Sequence, residues 1–193
     1  LIFGHLRTGA NYDKKNKIVG GKHGLGAKLT NIYSSKFTVR TKHSKTGRTF
    51  SQIYSNNMYE KTKPSIKEKT KGDGYTQIIF EPDFERFGID NLTDDICSLF
   101  KKRVYDIAAC TNEKVKVYFN DELIKIKNFK QYIELYQDDQ NDQNEDIDNE
   151  DEKTKDKTNI IYSEFVYDKT IKDNRWKVGV VFDPTSGYNQ ISY

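Results

Sequence analysis

Hydrophobic positions recur at two spacings along the 193 residues, and the switches between them predict the order of elements. Leu29, Ile32 and Tyr33, at i, i+3 and i+4, predict a short helix over Ala27 to Ser34. Phe37-Thr38-Val39-Arg40-Thr41 then alternates with period two, the pattern of a half-buried strand. Lys45-Thr46-Gly47-Arg48 reads as a turn into a second strand, Thr49 to Asn56. Lys71-Gly72-Asp73-Gly74 is another turn, followed by a strand from Tyr75 to Phe80 that Pro82 closes. Thr93 is placed to cap a helix whose first turn carries Asp94 and Asp95, where negative charge favours the helix dipole. Its predicted apolar stripe is Ile96, Leu99, Phe100, Val104, Ile107 and Ala108, with Lys101, Lys102 and Arg103 facing outward. Lys114 to Phe119, Asn120-Asp121 and Leu123 to Ile126 predict a hairpin, and Phe129 to Tyr136 a short helix. Strands follow at Ile160 to Tyr167, Trp176 to Phe182 and Tyr188 to Tyr193, with Trp176 facing a core; no internal repeat is visible.

Strands that pair as hairpins, mixed with helices, make the expected fold class α+β. Charge adds a feature that periodicity misses. Residues 138–152 hold nine acidic residues and no Lys or Arg, with Ile147 as their single apolar side chain. Such a segment buries too little to offset its ordering entropy, so an acidic, disordered insertion is expected at about 137–158. Without residues 138–152 the chain carries 32 basic against 20 acidic residues, a net +12 in place of +3. A basic body suits a polyanionic partner, although lysines scattered over solvated loops give the same count.

Composition narrows the class further. Apolar residues make up 35% and charged residues 32%, but 13 Tyr and 11 Phe supply large burial per residue. No run approaches the ~20 apolar residues of a membrane-spanning helix. Cys97 and Cys110 have no metal-ligand spacing, which suits a reducing compartment and excludes a secreted disulfide scaffold. A chain opening on Leu1 and closing on the strand-like Gln190-Ile191-Ser192-Tyr193 reads as an internal fragment of something longer.

The chemically loaded stretch is Val19-Gly20-Gly21-Lys22-His23-Gly24-Leu25-Gly26-Ala27-Lys28. Four of the 12 glycines fall within seven residues, directly before a predicted helix. Glycine allows positive φ and close approach to a ligand, and a helix start offers unpaired N–H groups with partial positive charge. Together they suit an anion, above all a phosphate. Lys28 in the first turn opposes the helix dipole by about 0.3–1 kcal/mol, a sign that a bound phosphate would reverse. Gly26 is followed by Ala27-Lys28-Leu29, so the Walker A loop and the dinucleotide Gly-x-Gly-x-x-Gly pattern both fail. What remains, Gly-x-x-Gly-x-Gly at Gly21 to Gly26, leaves a phosphate cradle and a purely structural turn both open.

The wider run favours the phosphate cradle by resemblance. Leu1 to Asp13, including Thr8-Gly9-Ala10-Asn11-Tyr12-Asp13, followed by Gly20 to Ser34, resembles the ATPase region of eukaryotic-type DNA topoisomerase II. The likeness continues at Asn56-Asn57-Met58, Arg103 to Ala108, Lys114 to Asn120 and Gln190 to Tyr193. It implies a GHKL-type (Bergerat) ATP-binding domain over residues 1–130, lacking its N-terminal part. The start of a ribosomal-S5-like transducer domain would follow over residues 131–193. It also implies ATP with Mg²⁺ as cofactors, double-stranded DNA and a second copy of the chain as partners, no membrane, and a nuclear location. Carried over by position, Gly9, Ala10 and Asn11 would lie beside the nucleotide. Gly21, Lys22, His23, Gly24, Leu25, Gly26, Ala27 and Lys28 would wrap its triphosphate. The family usually has two serines where this chain has Gly9-Ala10, which removes two hydrogen bonds each worth about 0.5–1.5 kcal/mol net.

The resemblance places the Glu that activates water and the Asn that holds Mg²⁺ upstream of Leu1. It places the lysine that reaches the γ-phosphate beyond Tyr193, and the DNA-cleaving tyrosine in a later domain. No catalytic residue and no metal ligand is therefore expected within the chain. Of the other chemistry-bearing residues, His5 suits a partly buried structural imidazole and His43 a loop. Asp83, Glu85, Asp94 and Asp95 suit turns and helix starts. Two alternatives stand beside the topoisomerase reading: a non-catalytic basic nucleic-acid-binding module, and another GHKL ATPase of the chaperone or mismatch-repair kind.

Overall fold

The computed structural model describes residues 1–9, 21, 23–138, 160–165 and 176–181. Ala10, Asn11, Lys22, nearly all of the acidic segment and the strand expected at Tyr188 to Tyr193 lie outside the described residues. The chain divides into two compact units, Leu1–Leu92 and Thr93–Tyr193.

In the first unit, helix α1 (Gly26–Ile32) runs almost directly into strand β1 (Ser34–Lys42). The helix ends two residues before the predicted Ser34 because Ser34 already pairs, across from Pro82. Strand β1 is central. On one side it pairs antiparallel with β2 (Thr49–Ser55), and on the other with β5 (Tyr75–Pro82). Two short strands, β3 (Glu60–Lys61) and β4 (Ser65–Lys67), share the far edge of β2. Neither is predicted by periodicity, since two or three residues are too few to show a period.

Alternation puts Phe37 and Val39 of β1 on one face, opposite Tyr54 and Gln52 of β2 and Phe80 and Ile78 of β5. Phe37, Val39 and Tyr54 form the buried cluster, with Phe3, Phe50, Met58 and Ile78 packed against it. The Phe37 ring lies 5.8 Å from Phe3 and meets Tyr54 edge-on at 6.4 Å. Each such side chain, fully buried, contributes about 1.5–3 kcal/mol. Gly4 lets the N-terminal segment lie on the Tyr54 ring, which a Cβ at that position would strike.

Strand β2 ends in three successive left-handed residues, Asn56, Asn57 and Met58 (φ 50°, 56° and 71°). Asn56 and Asn57 donate their N–H groups to the carbonyls of Ser35 and Ser34. The Asn57 side-chain amide donates to the Ile32 carbonyl at 2.9 Å and to the Asp83 carboxylate at 2.8 Å. Asp83 in turn caps helix α2 (Phe84–Phe87) by accepting from the Arg86 N–H. One asparagine thus ties the end of α1, the end of β2 and the start of α2 together. Asp83 acts as the helix-start residue its sequence context suggests.

In the second unit, helix α3 (Asp94–Cys110) starts as predicted, with Thr93 Oγ1 accepting from the Ile96 N–H at 3.3 Å. Its buried face keeps only part of the predicted stripe: Ala108 is buried and Ile96 and Val104 are half-buried. Leu99, Phe100 and Ile107 are exposed, whereas Asp106, Ala108 and Ala109 are buried. A hydrogen bond from Tyr132 draws Asp106 inward, and the small Ala108 and Ala109 leave room for a neighbouring helix. Strands β6 (Tyr118–Phe119) and β7 (Glu122–Leu123) are short, but their turn is the predicted Asn120-Asp121, with φ of 49° and 65°. Helix α4 (Phe129–Asp138) extends two residues beyond Tyr136, so Gln137 and Asp138 are helical rather than part of a disordered insertion. Asn128 caps it, accepting from the Gln131 N–H at 3.0 Å, while the Gln131 side chain accepts from the Lys127 N–H at 2.8 Å. That exchange resembles a capping box. Strands β8 (Ile160–Phe165) and β9 (Trp176–Val181) pair antiparallel. Gly179 of β9 sits against Ile133 of α4, with no room for a Cβ. The whole is α+β, as expected.

Candidate nucleotide site

The two segments singled out in the sequence, residues 1–13 and 20–28, meet at a pair of glycines. Gly24 has a φ of +60°, and a Cβ built on it would lie 2.7 Å from the Gly9 nitrogen and 2.9 Å from the Gly9 Cα. Only glycine fits there, both for its left-handed backbone and for the approach of a second main chain. Gly21 also has a positive φ, +79°, but open space around it. The two glycines therefore play different parts. Gly24 seats one loop on another, while a Cβ at Gly21 would meet no neighbour and only its left-handed backbone favours glycine.

Helix α1 begins immediately after this junction. Its cap residue is Leu25, which has no side-chain acceptor, so the helix start is uncapped. The Leu25 carbonyl accepts from Lys28 at 3.0 Å and Leu29 at 2.8 Å, which closes the first turn. Among the described residues, no hydrogen bond forms to the backbone N–H of Gly24, Leu25, Gly26 or Ala27. Four consecutive donors at a helix start, with no acidic side chain in the first turn, constitute a region of positive potential.

Lys28 and Asn31 stand three residues apart on one face of α1 and are both buried, at 4% and 0% exposure. The Lys28 ammonium has no ion pair or hydrogen bond among the described residues. Asn31 donates to the Phe3 carbonyl at 3.0 Å, holding the N-terminal segment against the helix, and its Oδ1 is buried without a partner. Sequence reading singles out Lys28 but misses Asn31. The available signal is spacing, since a polar residue on the buried stripe of a short helix needs a partner.

Of the residues expected at the nucleotide, Gly9, Gly21, His23, Gly24, Leu25, Gly26, Ala27 and Lys28 are described, and Gly9 and Gly24 are in contact. His23 is exposed and engaged in an interaction. His5 is exposed, not partly buried, because Phe3 rather than His5 turns onto the Phe37 ring. His43 is a turn residue, its Nδ1 accepting from the Thr46 N–H at 3.3 Å. Among the described residues, no group of three His, Cys, Asp or Glu is placed to hold a metal ion. No helix there is long and apolar enough to cross a membrane.

Among the described residues, a buried carboxylate with several partners lies in the second unit. The Asp106 carboxylate, 2% exposed, accepts from Arg103 at 2.8 Å, Lys102 at 3.1 Å and the Tyr132 hydroxyl of α4 at 2.5 Å. Tyr132 also shares a 2.8 Å hydrogen bond with Tyr136. Burial opposes the charge of Asp106, but the bonds from Tyr132, Lys102 and Arg103 outweigh it and hold its carboxyl below the ordinary value. Tyr132 is pushed well above the ordinary tyrosine value, first by burial and then by the neighbouring Asp106 and Tyr136. Lys102 and Arg103 are accordingly not merely outward-facing; they neutralise a buried carboxylate. At Asp83 the Asn57 amide and the Arg86 N–H lower the carboxyl in the same way.

An antiparallel sheet whose glycine-rich loop enters an uncapped helix gives the class: an α+β protein with an open helix start beside a loop junction. Relatives identify which one. The chain is 45% identical over 190 residues, 96% of its length, to DNA topoisomerase 2 of Acanthamoeba polyphaga mimivirus. It is 39% identical over its full length to DNA topoisomerase 2 of Bombyx mori. Among solved structures, the ATPase region of Saccharomyces cerevisiae topoisomerase II superposes with a TM-score of 0.66 and 42% identity, over 72% of this chain and 37% of that one. The ATPase and transducer domains of Balamuthia mandrillaris topoisomerase II superpose similarly, at 0.65 and 41%, over 72% of this chain and 36% of that one. No protein-family model matches the chain. The chain belongs to the eukaryotic-type DNA topoisomerase II family and corresponds to part of its ATPase region. It spans 13% of the mimivirus protein and 11% of the Bombyx mori protein.

Proposed function

We propose that the chain forms part of an ATP-dependent type II DNA topoisomerase and binds ATP at the glycine junction. In this reading residues 1–130 belong to the GHKL nucleotide domain and residues 131–193 begin the transducer. The N–H groups of Gly24 to Ala27, unbonded among the described residues, meet the triphosphate, Lys28 supplies the opposing charge, and Gly9, Ala10 and Asn11 lie alongside. The observation that carries the proposal is the uncapped start of α1 beside two glycine backbones in contact. An anion there would satisfy donors that have no partner among the described residues. Mg²⁺ would arrive with the nucleotide, its protein ligand lying outside the described residues.

The further steps follow the family: ATP-driven closure of two copies and capture of a DNA duplex for passage through a double-strand break, in the nucleus. The 193-residue chain is expected to bind ATP without turning it over, the water-activating Glu being supplied from elsewhere. Robust turnover by this chain, abolished by Lys28→Ala, would overturn that. Titration with a fluorescent ATP analogue tests the site itself: saturable binding that Gly24→Val removes supports it. Binding of DNA with steep salt dependence and no nucleotide affinity would instead favour a non-catalytic basic module.

A further inference from the structure

Six basic residues of the first unit, Lys42, Lys45, Arg48, Lys67, Lys69 and Lys71, lie at the end of the sheet where β1 turns into β2. Residues 36–74 contain ten Lys or Arg and three Asp or Glu. Two loops of this region, 43–48 and 68–74, are joined into one body. Thr70 donates both its N–H (2.9 Å) and its hydroxyl (2.6 Å) to the Gly47 carbonyl, and Arg48 pairs with Glu68 at 2.9 Å. The buried Lys42 ammonium donates to the Lys71 carbonyl, and Gly47, with a φ of +65°, lets the Thr70 carbonyl approach. These are not the independently solvated lysines of a loose loop; the main chain that carries them is fixed.

The charge so held is not neutralised. Lys45, Lys67, Lys69 and Lys71 are exposed, and among the described residues none forms an ion pair. The sheet register extends the surface. Thr49 and Lys67 lie in register beside the buried Lys42, and Arg40, Ser51 and Ser65 form the next cross-strand row, all on the face opposite Phe37, Val39 and Phe50. Exposed cations interleaved with hydroxyls, on a rigid strand scaffold, are the groups that contact phosphate and sugar without reading bases.

We propose that this end of the sheet, formed by Arg40, Lys45, Lys67, Lys69 and Lys71, is a sequence-independent contact surface for the phosphodiester backbone of duplex DNA. It lies apart from the glycine junction and rests on the topoisomerase reading only for the choice of DNA over another polyanion. The test is binding of a short fluorescein-labelled DNA duplex to the 193-residue chain by anisotropy, between about 50 and 200 mM salt. The variant Lys45→Gln/Lys67→Gln/Lys69→Gln/Lys71→Gln removes four cations. It should flatten the slope of log K against log salt by about 3–4 and weaken binding at least ~10-fold. The same four positions changed to Arg should keep both.

The variant Lys101→Gln/Lys114→Gln/Lys116→Gln/Lys125→Gln removes equal charge from the second unit and should leave the slope unchanged. Equal losses in the two Gln variants, or no loss in the first, overturn the proposal. So does a first variant that loses affinity for poly-glutamate while keeping the duplex, because the surface would then serve an acidic polypeptide. Binding of the ATP analogue is measured on the same proteins. If wild type binds no nucleotide while the duplex slope still depends on the first four lysines, the ATP reading fails and this one stands.

Discussion

Three glycines of one loop, each changed to alanine, make a graded test of what holds the nucleotide site together. Gly26 opens α1 with no neighbour within 4 Å of an added Cβ, so Gly26→Ala should be neutral or stabilise by up to about 1 kcal/mol through helix propensity. Gly21→Ala meets open space but a φ of +79°, and should cost about 1–2 kcal/mol from the left-handed backbone alone. Gly24→Ala carries the same conformational cost and in addition drives its Cβ to 2.7 and 2.9 Å from main-chain atoms of Gly9. Comfortable carbon contacts begin near ~3.5 Å, so one of the two segments must move by the better part of an ångström. Overpacking of this kind costs about 1–3 kcal/mol more, giving about 2–5 kcal/mol in all. The chain relieves that strain by parting the two loops, so the loss should register mainly in nucleotide affinity, at roughly 30-fold or more below wild type. Thermal melting by circular dichroism and titration with a fluorescent ATP analogue read the two quantities on the same samples. If Gly24→Ala melts and binds like Gly21→Ala, the contact between the two segments does not organise the site.

Other outcomes are expected. Lys28→Met should raise the melting temperature, by relieving a buried ammonium that has no ion pair among the described residues and opposes the helix dipole by about 0.3–1 kcal/mol, yet weaken binding of the ATP analogue; a variant with wild-type affinity would remove Lys28 from the site. Asp106→Ala should lower urea stability by about 1–3 kcal/mol, since the buried Tyr132 hydroxyl loses its acceptor. Because Asp106 has a lowered carboxyl value, its contribution is complete above the ordinary carboxylate range, about pH 4, and disappears as pH falls through the lowered value. A pH series of melting curves should therefore show an acid limb in wild type that Asp106→Asn diminishes. Asn57→Ala should loosen the end of α1 by about 1–3 kcal/mol and let the Asp83 carboxyl return towards its ordinary value, seen as faster amide exchange at Tyr33 and Asp83.

Local patterns in the sequence carry the elements that local physics decides. Thr93 with Asp94 and Asp95 marks the start of α3, Asn120-Asp121 the hairpin, and the alternation around Phe37 the central strand. The contact face of α3 is not legible in this way. Leu99, Phe100 and Ile107 are the better apolar stripe, yet Asp106 is buried because a tyrosine 26 residues later reaches it. No period in a single helix encodes a partner that distant. In the site, the glycines are visible as a cluster, but not their division of labour. That Gly24 faces Gly9 while Gly21 faces open space depends on how residues 1–9 fold back over Tyr54 and α1. Asn57 is visible only as part of a resemblance; its bridging role follows from three left-handed residues in succession, which few sequences advertise.

Helix α4 is fastened to α3 through a tyrosine hydroxyl and a buried carboxylate rather than through apolar packing alone. Oily contacts tolerate sliding, whereas a bond of this kind is lost within a fraction of an ångström or when the helix rolls. A slip of one residue turns a helix by about 100° and would carry Tyr132 wholly away from Asp106. The clasp therefore fixes the register and roll of α4 on α3, which apolar contact alone would leave free to drift.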